Sequence, residues 1–182
     1  VALCDDDGVE FTLSGGKAVL SRTPSTLRAL LIDLPGELTT SNEGPDTWSP
    51  FQVVGHMTHI EEFDWMDRAE LILSRSEPRT FEPVDREAGF ARFARWSMKE
   101  MLDRFADLRT SNLRQLDAMV SDDDLGRIGI HPTFGEVSLS QLLATWAVHD
   151  LNHLNQIVKT MAKQYATAIG PWRTWLPVVD AT

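Results

Sequence analysis

Two capping boxes set the frame for what this chain can fold into. Ser49 stands three residues before Gln52, and Ser138 three before Gln141, each at the head of a long run with helical apolar spacing. In such a pair the serine oxygen accepts the N–H of the third helical residue, and the glutamine side chain accepts the serine's own N–H. Donors that a helix start leaves unpaired are thereby satisfied. Pro50, directly after Ser49, suits the first helical position, where its missing N–H would have had no partner. Period-two alternation is scarce and no Asn-Gly turn occurs, so an all-α chain is expected.

Four long helices follow from these signals. Thr23-Pro24 opens the first, and Pro35-Gly36 stops it after Leu34. The second is expected from Ser49 to Ser74 and the third from Asp85 to Val120. The fourth runs from Ser138 to Ile169, where Gly170-Pro171 ends it. Loops of roughly ten to twenty residues between them suit a four-helix bundle. With 182 residues and 42% hydrophobic content the chain can bury one core, so residues 21–182 read as a single domain. Residues 1–20 read as a short N-terminal extension, since Gly15-Gly16 interrupts any early helix. The tail Trp172-Arg173-Thr174-Trp175-Leu176 is apolar enough to pack back on the body.

Composition excludes several functions. A formal net charge of −10 speaks against binding along a nucleic-acid backbone, which needs clustered cations. No apolar run approaches the roughly 18 residues of a membrane span. The acidic start Cys4-Asp5-Asp6-Asp7 is unlike a secretory signal, and the lone Cys4 precludes an intrachain disulfide; both fit a cytoplasmic protein. Neither a Gly-x-Ser-x-Gly elbow nor a phosphate-cradling glycine loop occurs. The six tryptophans and six methionines read as core filling.

The chemistry lies in the histidines. His149 and His153 are four residues apart on the expected fourth helix, an advance of about 400°, so their rings point about 40° apart, one turn above the other. Two imidazoles held that way can share one transition-metal ion. On the second helix, with Val53 at zero, the apolar face centres at about 350°, His56 falls at about 300° and His59 at about 240°. His56 is therefore the inward candidate for a third ligand, and His59 belongs to the rim. Asp64 and Asp67, at about 20° and about 320°, are candidates to orient an imidazole through its second nitrogen. Gln156 extends the polar column of His149 and His153. Asp150 points about 100° away from His149, a poor position for a base at the same ion. His131, in the turn His131-Pro132-Thr133-Phe134-Gly135, reads as a loop-packing residue. A second apolar stripe on the fourth helix, Ala144, Val148, Leu151, Val158 and Ala162, calls for cover by another helix or by a partner subunit. A metal-free polar core network would use the same histidines.

At these residues the chain resembles the DinB/YfiT-like superfamily of four-helix-bundle metal proteins. The resemblance is carried by Trp48-Ser49-Pro50-Phe51-Gln52-Val53-Val54-Gly55-His56 and by His149-Asp150-Leu151-Asn152-His153-Leu154-Asn155-Gln156, and covers residues 20–176. It implies a divalent ion, zinc or nickel, held by His56, His149 and His153 with water in the remaining positions, and a homodimer. Relatives include transferases and an isomerase that depend on low-molecular-weight thiols. The implied function is a metal-dependent enzyme that activates a small thiol or water against a small-molecule substrate. The alternative is a stress-response metal-binding or interaction module without turnover.

Overall fold

The expected capping boxes form. In the computed structural model, which describes residues 9–74, 77 and 79–180, the Ser49 N–H donates to Gln52 Oε1 at 2.9 Å and the Gln52 N–H to Ser49 Oγ at 3.3 Å. The Ser138–Gln141 pair repeats the pattern at 2.9 and 3.1 Å. A third box, Ser97 with Glu100, opens the long third-helix segment twelve residues later than the Asp85 start expected from sequence. Cys4 and its acidic neighbours lie outside the described residues.

The second and third expected helices are each divided. Inside the stretch read as an N-terminal extension a helix forms, α1 (Leu13–Leu20); the first expected helix is α2 (Thr23–Leu31), three residues shorter than expected, and a short α3 (Gly36–Thr40) follows. Gly15 and Gly16 lie inside α1 and do not interrupt it. Thr12 caps the helix by accepting the Gly15 N–H, and a Cβ on Gly16 would sit 2.6 Å from the Phe11 ring. Two helical glycines cost about 1 kcal/mol each, offset here by burial of Leu13 and Leu20 in the core beside the last helix. The second splits into α4 (Pro50–Phe63) and α5 (Trp65–Leu73) at Asp64, whose backbone leaves helical geometry (φ −129°, ψ −62°). The third splits into α6 (Ala88–Phe93) and α7 (Met98–Met119). The last, α8 (Leu139–Gln164), runs unbroken and ends five residues before Ile169.

Between α7 and α8 lies a hairpin that sequence reasoning missed, β1 (Ile128–His131) and β2 (Gly135–Ser138), antiparallel, with Ile128 opposite Ser138 and His131 opposite Gly135. Its turn contains Pro132 and reaches a positive φ of 75° at Gly135, so it carries neither an Asn-Gly signal nor clean alternation. The hairpin is held from one side: the Phe81 N–H donates to the Ile130 carbonyl and the Ile130 N–H to the Arg79 carbonyl. Gly129 permits this packing, because a Cβ there would lie 2.7 Å from Ile72 and 2.8 Å from Phe81.

The helices enclose two apolar clusters. One gathers Leu20, Ile60, Trp65, Leu116, Leu143 and Trp146; the other Leu27, Val53, Met57, Phe105 and Ile157. On α7 and α8 the residues between the clusters include Arg109 and Asp150, and there the interior turns polar. In the tail, Val179 makes the packing contact, while Trp172 and Trp175 remain 60% and 73% exposed, contrary to the expectation from their apolarity. Among the described residues no helix is long and apolar enough to cross a membrane.

Candidate metal centre

Three helix-borne histidines meet at one point. His56 projects from α4, and His149 and His153 project from consecutive turns of α8; one ring nitrogen of each lies within 4.8 Å of the others. His149 Nε2 is 3.2 Å from His56 Nε2 and 3.1 Å from His153 Nε2.

The outer nitrogens decide what the inner ones can do. His56 Nδ1 lies 2.8 Å from the Arg86 carbonyl oxygen, which can only accept, so Nδ1 carries the proton and Nε2 a lone pair. His153 Nδ1 donates in the same way to Gln156 Oε1 at 2.8 Å, leaving its Nε2 as a lone pair. His149 Nδ1 is buried with no partner among the described residues. A neutral His149 with its proton on Nε2 serves one neighbour only. With the proton on Nδ1, a buried donor is unpaired and three lone pairs face one another. Neither state satisfies the cluster. Nor does extra protonation: burial holds His56 down to about 4, and burial with the neighbouring imidazoles holds His149 far below the usual range. His153 is lowered too, chiefly by burial. A cation that accepts three neutral nitrogens resolves the conflict, so the residues fit a divalent metal.

A close helix contact positions the orienting carbonyl. Gly89 of α6 packs on Gly55 of α4, where a Cβ on Gly89 would lie 2.7 Å from the Gly55 carbonyl oxygen. The approach of these two helices brings the Arg86 carbonyl over His56, one residue along from Gly55. Two tryptophans wall the cluster: the Trp48 ring lies parallel to His153 (6.3 Å, 10°), and Trp65 meets His149 edge-on at 5.2 Å. Sequence reasoning counted both as core; the position of Trp48 directly before the Ser49 cap was the available signal. The histidines open on a cavity of about 560 Å³, which Asp64, Arg68, Arg86 and His131 also line. His131 therefore faces the site instead of merely packing its loop. Its Nδ1 accepts the Thr133 and Phe134 N–H groups at 3.1 and 3.3 Å, placing its proton on Nε2.

The carboxylates expected to orient an imidazole do not. Asp64 pairs with Arg68 at 2.6 Å, and burial raises its pKa to about 6 against the pull of Arg68. Asp67 is exposed on α5, and the His59 ring lies tilted against Phe63 at 5.0 Å, outside the cluster. The orienting acceptors are Arg86 and Gln156, the second of which lies in the expected column.

Asp150, next to His149, turns to a different cluster. Arg109 donates to Glu61 at 2.8 and 2.9 Å, to Asp150 at 2.6 and 3.1 Å, and to the Leu20 carbonyl at 2.8 Å, which engages all five of its N–H groups. Asn112 and Trp146 also donate to Glu61, at 3.1 Å each. Burial raises the Glu61 pKa, yet every group around its oxygens is a donor, the environment of a carboxylate. Nothing in the sequence reading pointed to Arg109. Its placement with Asn112 on the Leu102–Phe105–Leu116 face of α7 was the usable sign.

Fold and site together define a four-helix-bundle protein with three converging histidines at the wall of a ligand-sized cavity. The chain belongs to the DinB superfamily, whose family model matches residues 20–157. Among solved structures it is similar to YfiT from Bacillus subtilis, described as a probable metal-dependent hydrolase with an unusual four-helix bundle topology. The TM-score is 0.74 at 17% identity, over 91% of this chain and 94% of that one. It is also similar to the four-helix bundle protein TT2238, with a TM-score of 0.58 at 19% identity, over 82% of this chain and 100% of that one. At such identities the likeness establishes the fold. A search of curated proteins finds no match.

Proposed function

We propose that this protein is a metal-dependent enzyme in which His56, His149 and His153 hold a divalent ion, zinc or nickel, facing a small-molecule pocket. The observation that carries this reading is the convergence of three Nε2 atoms whose protons cannot be arranged to satisfy them. Three protein ligands leave a coordination position open, and an ion bound there would supply Lewis acidity, lowering the pKa of a water or a low-molecular-weight thiol toward neutrality. Trp48 and Trp65 flank the imidazoles with apolar rings. Asp64, on the cavity wall with its pKa raised by burial to about 6, is the carboxyl suited to carry a proton to or from the nucleophile. The description of YfiT favours water as nucleophile; the resemblance to thiol-dependent transferases favours a thiol.

The test is a paired screen of ester and amide hydrolysis and of thiol addition to electrophiles, with ion-free, zinc-loaded and nickel-loaded protein. Turnover in one arm that requires the ion supports the enzyme and names the nucleophile. An ion-loaded protein inert in every arm favours the non-catalytic module.

A homodimer through α8 belongs to the same reading. Val148, Leu151 and Val158 remain 62%, 51% and 44% exposed, so no other described helix covers the second apolar stripe. Sedimentation should give a dimer that Leu151→Lys converts to monomer; a monomeric native protein would refute it.

A further inference from the structure

The cavity wall carries two arginines, and they are in different states. Arg68 is neutralised: its Nε lies 2.6 Å from Asp64 Oδ1, and its guanidinium stacks 5.1 Å over the Phe81 ring. Arg86 has its backbone anchored but its charge free. Its carbonyl accepts the His56 proton, while among the described residues no carboxylate pairs with its exposed guanidinium. Among the described residues Asp64 is the one acid lining this cavity and Arg68 balances it, so the pocket keeps an unbalanced positive charge in a chain whose formal net charge is −10. His131 adds a neutral Nε2–H donor to the same wall. Trp48, Trp65 and Phe134 supply apolar surface.

A cavity of about 560 Å³ with apolar walls and a few polar groups suits one small molecule. We propose that this molecule is a carboxylate with an apolar body, its carboxylate paired with Arg86 and its other end directed at the three histidines. A guanidinium fork matches a planar carboxylate in two-point contact, and a pocket of opposite sign to the protein as a whole concentrates anions locally. The assignment rests on the ion-site reading only for what the far end of the ligand meets; the charge selection belongs to Arg86.

The experiment uses phenylacetate and its neutral isostere phenylacetamide, titrated calorimetrically into protein of measured zinc content. The wild type should bind phenylacetate about tenfold more tightly, the advantage of one hydrogen-bonded charge at a partly exposed site. Arg86→Met should reduce that preference to less than twofold without changing zinc content, and Arg86→Lys should restore part of it. Equal binding of the two probes, or binding of neither, overturns the proposal. So does a preference that survives Arg86→Met, since the carboxylate would then be held by the ion. If the wild type takes up no zinc, the ion-site reading fails separately, and the same titrations on ion-free protein decide the role of Arg86.

Discussion

Two buried polar clusters lie side by side in this bundle and follow opposite rules. Around Arg109, every donor meets an acceptor, and the carboxylates of Glu61 and Asp150 bracket a cation that the chain supplies itself. Around His149, acceptors meet acceptors, and the chain supplies no cation. The first cluster is closed and ties α4, α7, α8 and the end of α1 together. The second is open on a cavity. Buried polarity that satisfies itself specifies architecture; buried polarity held short of satisfaction specifies a ligand.

The sharpest way to break the comparison is to remove one member from each side. Arg109→Met leaves two buried carboxylates without a partner and should cost about 3–5 kcal/mol in urea unfolding. His149→Leu in the ion-free protein removes a conflict and should change stability by less than about 1 kcal/mol. Equal losses would mean that the histidine cluster is structural. Adding the missing cation tests the open side directly. Zinc at about a hundredfold above Kd should stabilise the protein by about 2.7 kcal/mol, a rise of roughly 5–10 °C in Tm, and His153→Ala should abolish the rise. Zinc without effect on the wild-type Tm would contradict the open cluster.

Acid should discriminate next. His56 is lowered in the folded state to about 4 from an ordinary value of 6.5, so between those limits the unfolded chain binds a proton that the folded chain refuses. The contribution of His56 to the stability of the ion-free protein is therefore complete above about pH 6.5 and should decline by about 1–2 kcal/mol on passing from pH 7 to pH 5, and His149 and His153, lowered too, add to the decline. Asp64, raised to about 6, works in the opposite sense over the same range, so Asp64→Asn should steepen the decline. A stability flat between pH 7 and pH 5 in both proteins would show that the imidazoles are not held neutral by the fold. The smallest effect concerns the orienting carbonyl. Gly89→Ala forces α6 from α4 and should weaken zinc binding about tenfold, as loss of an orienting partner does. Unchanged affinity would remove Arg86 from the positioning of His56.

Much of the open cluster was legible in the sequence, and none of the closed one. Helical spacing placed His149 and His153 together and selected His56 over His59, because one face of a helix is a local property. The bundle was legible for the same reason, through caps such as Ser49–Gln52. Breaks and partners were not. Asp64 ends α4 while pairing with Arg68, and the Arg86 carbonyl reaches His56 from a segment thirty residues away, held there by the Gly55–Gly89 contact. The hairpin escaped because its two four-residue strands depend on Phe81 and Arg79 for cover and pairing. Arg109 lay unnoticed on an apolar face because its partners come from three other helices.

The most direct test of the central claim is a calorimetric titration of zinc into ion-free protein, run beside His56→Ala, His149→Ala and His153→Ala. The expected result is one ion per chain in the wild type and loss of that site in each variant, with all four proteins folded. Absence of zinc binding in the wild type, or one equivalent retained in all three variants, would contradict a cation site formed by these histidines.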